Sequence, residues 1–188
     1  RVDSVVVSSD DEEILATAEA NGAATHRRPI ELARDDSTVE VGVIDVLENH
    51  PASKEADIVV LIQATSPLTR ASDIDMALEA LIENEWDSIL SGVPSHIFHW
   101  QVNGGLAEPV NYDPKNRPRR QDMVGLHREN GAFYIAKRKI WDDEECRVGG
   151  RIGMHPMEEW QGYEIDSEND WRLLENIAAN LNLAPESV

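Results

Sequence analysis

The segment NRPRRQD, Asn116 to Asp122, puts three arginines into four positions of a chain whose formal net charge is −19. Guanidinium groups on a stretch stiffened by Pro114 and Pro118, with Gln121 beside them, make a fork suited to a carboxylate or a phosphate held bidentately. The plainer alternative is a solvated basic loop. In YEIDSEND, Glu164 and Asp166 stand two apart, so on a strand both carboxylates leave one face, and two carboxylates at one place can hold Mg²⁺ through oxygen. The competing reading is that acids are common in this chain and that Asp166 and Ser167 begin a helix. VSSDDEE brings Ser8, Ser9 and Asp10 together, and Ser9 with Glu12 suffices as a capping box. HRRP, from His26, is a second basic cluster, fit for a nucleotide or for pairing with surface acids. His96 and His99 flank Phe98 without completing a zinc set and are read as structural. No G-x-S-x-G, H-E-x-x-H or G-x-x-x-x-G-K-[ST] motif occurs.

The elements that must position these groups alternate strand and helix. Val5 to Val7 form a short apolar run, followed by a helix capped at Ser9 and stopped by Gly22. A strand around Ala23 to His26 precedes a helix that Ser37 and Glu40 cap, with Val39, Val43, Ile44 and Leu47 as its apolar face. Ile58 to Ile62 is an uninterrupted apolar strand of the kind buried on both faces of a parallel sheet, and the loop QATSPL leaves its end. A helix capped near Ser72 carries Ile74, Leu78, Leu81 and Ile82, and DSILSGV reads as a central strand. From Ser95 the rhythm breaks: aromatic runs flank Asn103-Gly104, a hairpin signal, before the arginine loop. In RENGAFYIAK, Phe133 and Tyr134 read as core before pocket wall. GYEID then reads as a strand, and Ser167 caps a last helix with Trp171, Leu174, Ile177 and Leu181 facing inward. The loops Ser8-Ser9-Asp10, Gln63 to Ser66 and Asp166-Ser167 would share one rim if their strands are parallel, and open α/β sheets bind ligands at that rim.

Length and composition set the frame. A chain of 188 residues with 41% apolar residues is long enough for one domain with a real core, and no apolar run reaches the ~18–20 residues of a membrane helix. The 36 acidic residues against 17 basic ones disfavour nucleic acid and anionic membrane as partners. The single Cys146 gives no disulfide framework, and a cytoplasmic setting is expected. The same acidity is what a soluble protein of a high-salt cytoplasm would show.

In order, VVVSSDDEEI, HRRPIELARDDST, DIVVLIQATSPL, NRPRRQD, RENGAFYIAK and EIDSENDW resemble the acylneuraminate cytidylyltransferases, or CMP-sialic acid synthetases, over roughly residues 1 to 175. QATSPL is shared with related sugar nucleotidyltransferases, whereas RPRRQD followed by ENG is far more specific. The resemblance implies a three-layer, doubly wound, mostly parallel α/β domain over residues 1–188, with a β-rich dimerisation insertion at about 95–122, and hence a homodimer. It implies transfer of CMP from CTP to an acidic nine-carbon sugar with release of pyrophosphate. By the same likeness Arg117, Arg120 and Gln121 receive the acidic sugar or neighbouring anionic groups, Arg120 and Asp166 take the catalytic roles, and Gln63 contacts the sugar. Ser66 shapes the loop it stands in, Ser8 and Asp10 approach the nucleotide, and Asp166 with Glu164 holds Mg²⁺ or another divalent cation. The family usually has Asp at the position of Glu164. Its relatives also carry a strand and a phosphate-holding loop, L-x-A-R-x-G-S-K, ahead of the point where this sequence starts, so an N-terminally incomplete domain is expected. A non-catalytic sugar-acid or nucleotide-binding subunit is the alternative from another class. An enzyme for legionaminic, pseudaminic or 3-deoxy-octulosonic acid is the alternative within it.

Overall fold

The structure, a computed structural model, describes residues 2–123 and 125–181. Its elements in chain order are β1 (Val6–Ser9), α1 (Glu12–Ala20), β2 (Ala24–Arg27), α2 (Val39–Asn49), β3 (Ile58–Ile62), α3 (Ala71–Glu83), β4 (Ser88–Pro94), β5 (Trp100–Asn103), β6 (Leu106–Pro109), β7 (His127–Lys137), α4 (Arg138–Glu144), β8 (Ile152–Pro156) and α5 (Glu168–Asn180). β1 and β2 pair in parallel, β3, β7, β4 and β8 form a sheet in that order, and β5 with β6 makes a separate hairpin. The chain divides into two compact units, one of residues 1–63, 70–90 and 133–154, the other of 64–69, 91–132 and 155–188.

In the first unit the expected apolar face of α2 packs as read: Leu47 joins Ala136, Ile140 and Trp141, with Val43, Ile44, Val59 and Leu61 against them. Val39, expected on that face, is exposed. Phe133 and Tyr134 are both core, at 0% and 4% exposure. β3 departs from the sequence reading. It pairs antiparallel with β7, Val60 opposite Ile135, and as the end strand of its sheet it is only half-buried, so its apolar run does not mean cover on both faces.

The helix starts also shift. α1 is capped by Asp11, whose carboxylate accepts from the Glu13 and Ile14 N–H groups. Ser9 instead accepts from the Asp11 N–H at 3.1 Å, a turn that sets the capping residue in place. α2 follows Thr38 with no side-chain cap, and Glu40, expected in a capping box with Ser37, instead accepts from Arg147 at 2.6 Å. α3 begins after Arg70, whose N–H donates to Asp73 at 3.2 Å, leaving Ser72 inside the first turn.

In the second unit the register of β5 and β6 pairs Asn103 with Leu106, so the two-residue turn is Gly104-Gly105. Their φ values of 58° and 85° are those of a type I′ turn, which only glycine adopts freely at both positions. The expected strand at GYEID is not formed. That segment is held by a bond from the Ile165 N–H to the Thr65 carbonyl at 2.8 Å, and one bond does not make a ladder. Ser167 does cap α5, accepting from the Asp170 N–H. Leu174 is buried, but Trp171 is 53% exposed and Leu181 is exposed too, so the inward stripe is narrower than its spacing suggested.

Candidate functional site

In the first unit, Ser8 ends β1 and Asp10 follows on the loop to α1. Arg28, from the cluster the sequence left open, is half-buried and meets no acid among the described residues. Its Nε donates to the Ser8 hydroxyl at 3.2 Å and an Nη to the Ser8 carbonyl at 2.7 Å. Arg27 pairs with Glu12, and His26 Nε2 lies 2.6 Å from Asp45. The HRRP cluster therefore braces the end of β1, and Arg28 is a residue the sequence singled out only as part of a charge run. Gln63 stands just past β3, half-buried.

The other candidates lie in the second unit. Ser66 is 5% exposed, and its hydroxyl faces the Asn130 carbonyl at 3.5 Å. The three arginines of the loop have three different surroundings. Arg119 forms a bidentate pair with Asp122, at 2.8 and 3.0 Å, which holds the Asp122 carboxyl below its ordinary range and spans the short turn Arg120–Asp122. Arg117 stacks its guanidinium 4.0 Å above Phe98, beside Tyr112, a cation–π contact that fixes the plane yet leaves its N–H groups free to donate. Arg120 has no side-chain partner among the described residues and lines two cavities. One, of about 720 Å³, is shared with Arg117, Phe98, Trp100 and His96. The other, of about 240 Å³, is shared with Val93, His96, Arg128, Glu159 and Tyr163. His96, which the sequence reading set aside as structural, thus borders both.

Arg128 is the second guanidinium of the smaller cavity and was not singled out from sequence. It donates to the Gly162 carbonyl at 2.7 Å. A Cβ at position 162 would lie 2.6 Å from the Arg128 Nη2 and 2.9 Å from Val93, so only glycine lets the guanidinium rest there. Arg128 also acts on the carboxylates that follow. The Glu164 carboxyl is pushed above its ordinary range by burial and by the neighbouring Asp166, against the opposing pull of Arg128. Glu164 and Asp166 are thus close enough to repel, as their spacing foresaw, although they extend from an irregular segment and not from a strand. No group of three or more His, Cys, Asp or Glu side chains fit for a metal occurs among the described residues. The chemistry present in the second unit is a cleft lined by Arg120 and Arg128 and a carboxylate pair, Glu164 and Asp166, on whose first member the Arg128 charge acts.

The mixed α/β fold is shared with solved structures of other proteins. A 4-diphosphocytidyl-2C-methyl-D-erythritol synthase from Anaerococcus prevotii superimposes with a TM-score of 0.64 over 95% of this chain and 82% of that one, at 12% identity. A CMP:2-keto-3-deoxy-manno-octonic acid synthetase complexed with CTP gives 0.63 over 97% and 82%, at 17% identity. Within that fold the chain belongs to the cytidylyltransferase family, whose model matches residues 1–167. Among its relatives, N-acylneuraminate cytidylyltransferase A of Danio rerio is 36% identical over 92% of this chain. N-acylneuraminate cytidylyltransferase of Oncorhynchus mykiss is 37% identical over 92%. The chain spans 40% of the length of each of these two. Pseudaminic acid cytidylyltransferase of Campylobacter jejuni is 28% identical over 76% of this chain and 64% of its own.

Proposed function

We propose that this chain transfers CMP from CTP to a sialic-acid-like nonulosonic acid, releasing pyrophosphate. The observation that carries the reading is Arg128, which lines the cleft with Arg120 and also exerts its field on Glu164 beside Asp166. A sugar carboxylate taken by Arg120 and Arg128 sets the anomeric hydroxyl toward the carboxylate pair. In the reaction the hydroxyl oxygen bonds to the α-phosphorus of CTP, the bond from that phosphorus to the bridging oxygen of pyrophosphate breaks, and the hydroxyl proton is lost. Phosphoryl transfer of this kind depends on in-line positioning and on neutralising charge, and the guanidinium groups of this chain supply both for the acid.

Mg²⁺ fits Glu164 and Asp166. The Glu164 carboxyl, raised by burial and by the neighbouring Asp166, gains from a cation shared with Asp166, and two oxygens leave the rest of an octahedral shell for phosphate and water. When bound, the ion neutralises phosphate charge. The exposed apolar side chains of the hairpin and its flank, Trp100, Val102, Leu106 and Val110, support a homodimer built through the insertion. No helix among the described residues is long and apolar enough to cross a membrane. The lone Cys146 and the acidic balance support a cytoplasmic setting.

The test is incubation with CTP, Mg²⁺ and a panel of N-acetylneuraminic, legionaminic, pseudaminic and 3-deoxy-octulosonic acids, with pyrophosphate measured. Release with N-acetylneuraminic acid is expected. Release only with another acid moves the substrate within the class, and tight binding of an acid with no release makes the chain a binding subunit.

A further inference from the structure

The smaller cavity holds one group of the opposite sign. Glu159 opens the short turn Glu159–Gly162, which is fixed by the Glu158 N–H donating to the Gln161 side chain at 3.0 Å and by Gln161 Nε2 donating to the Leu68 carbonyl at 3.2 Å. Glu159 lines the cleft of about 240 Å³ with Arg120 and Arg128, yet among the described residues it pairs with neither. Arg128 spends an N–H on Gly162, whereas Arg120 and Glu159 have no side-chain partner among the described residues. The lining therefore combines guanidinium donors with a carboxylate acceptor that no ion pair among the described residues has taken up.

An ionised carboxylate accepts hydrogen bonds and donates none. Against a bare anion Glu159 is repulsive, so a cleft built for phosphate or a simple carboxylate has no use for it. It suits a ligand that carries a carboxylate together with hydroxyl or amide N–H donors. We propose that Glu159 determines specificity by accepting hydrogen bonds from the hydroxyl or N-acylamino donors of the acidic sugar, while Arg120 and Arg128 hold its carboxylate. This rests on the proposed function, since it presumes that the cleft receives the sugar acid. The repulsion also acts as selection against small keto acids, which present a carboxylate and no donors.

The experiment is calorimetric titration of the chain and of its Glu159→Ala, Glu159→Gln and Arg120→Ala variants with N-acetylneuraminic acid and, separately, with pyruvate as the donor-free acid. Glu159 is exposed, so its variants should melt with the parent chain. Glu159→Ala should weaken N-acetylneuraminic acid by about tenfold or more, the size of a lost hydrogen bond to a charged group, and leave pyruvate unchanged or tighter. Glu159→Gln, which retains one acceptor oxygen, should fall between. An unchanged ratio of the two affinities in Glu159→Ala, with Arg120→Ala weakening both acids, overturns the role of Glu159 alone. Parent-level binding of both acids by Arg120→Ala, or no binding of N-acetylneuraminic acid by the parent chain, overturns the cleft as the sugar-acid site and Glu159 with it.

Discussion

In HRRP every charged side chain meets a protein group: His26 meets Asp45, Arg27 meets Glu12, and Arg28 meets both oxygens of Ser8. In NRPRRQD, among the described residues, only Arg119 of the three arginines finds an acceptor, Asp122, while Arg117 lies on an aromatic face and Arg120 opens onto two cavities. Both segments are basic, both contain proline, and both belong to a chain of net charge −19. Charge and rigidity therefore do not separate a brace from a binding site. What separates them is whether the donors have already found acceptors. A guanidinium bonded to its own backbone stabilises a loop, and one left open in a concavity is free for a ligand.

That contrast can be broken by substitution. The largest effect is expected at the carboxylate pair: Asp166→Asn should lower pyrophosphate release by roughly a thousandfold, as removal of charge stabilisation at a phosphoryl centre does. Near-parent turnover would separate the carboxylate pair from the chemistry. Next, Arg120→Ala should raise the KM for the sugar acid by about ten- to a hundredfold, the range of a lost charge-assisted bond, and that for CTP much less. An equal loss for both substrates would return Arg120 to the class of Arg28. Gly162→Ala should displace the Arg128 guanidinium and cost about tenfold in sugar-acid KM, one unit on the 1.4 kcal/mol scale, with little change in melting temperature.

Two smaller effects concern closed and open charges. Glu40 and Arg147 are a closed pair at 2.6 Å with side chains about four-fifths buried, and the hydrogen bond from Arg147 holds the Glu40 carboxyl below its ordinary range. Glu40→Gln should cost about 1 kcal/mol in urea unfolding at neutral pH, kept modest by solvent contact. A depressed carboxylate stabilises above its ordinary pKa, so the difference between variant and parent should fade as pH drops through the lowered value. Glu164 has the opposite sign. Its folded carboxyl holds a proton that the unfolded chain releases, so its contribution is present in acid and is lost as pH rises through the raised value. In EDTA, Glu164→Gln should raise the melting temperature slightly at neutral pH, and the gain should vanish below a pH of about 4, under the ordinary glutamate pKa. A fall at neutral pH would mean that the two carboxylates do not repel.

Much of this was legible in the sequence because periodicity reports which faces are buried. The runs of β3 and β4, the apolar stripe of α2 and the aromatic core of β7 all follow from apolar spacing. Caps were less legible: Ser9, Ser37 and Ser72 stand near helix starts, yet Asp11, Thr38 and Arg70 take the capping positions, and of these only Asp11 accepts helix N–H groups through its side chain, while at α3 Asp73 accepts from the Arg70 N–H. Strand direction was hidden as well, because an apolar run is the same in a parallel and an antiparallel pair. Of the site, the arginine loop and the carboxylate pair stood out by composition. Arg128, His96 and Glu159 did not, because their positions in one cavity arise from segments far apart in the chain, and no local spacing encodes that. Gly162 carried a trace of the answer, a glycine two residues before a suspected ligand, but its meaning needed the guanidinium beside it.

Position 162 has a practical corollary. Anyone seeking to broaden what this protein accepts would randomise the short turn that borders the cleft, and its first and last residues would answer in opposite ways. The first is exposed where it borders the cleft, so replacements there meet little packing, and it is where new selectivities can be sought. The last admits no side chain without dislodging a guanidinium, and a screen that varies both at once would lose most of its members to that one collision.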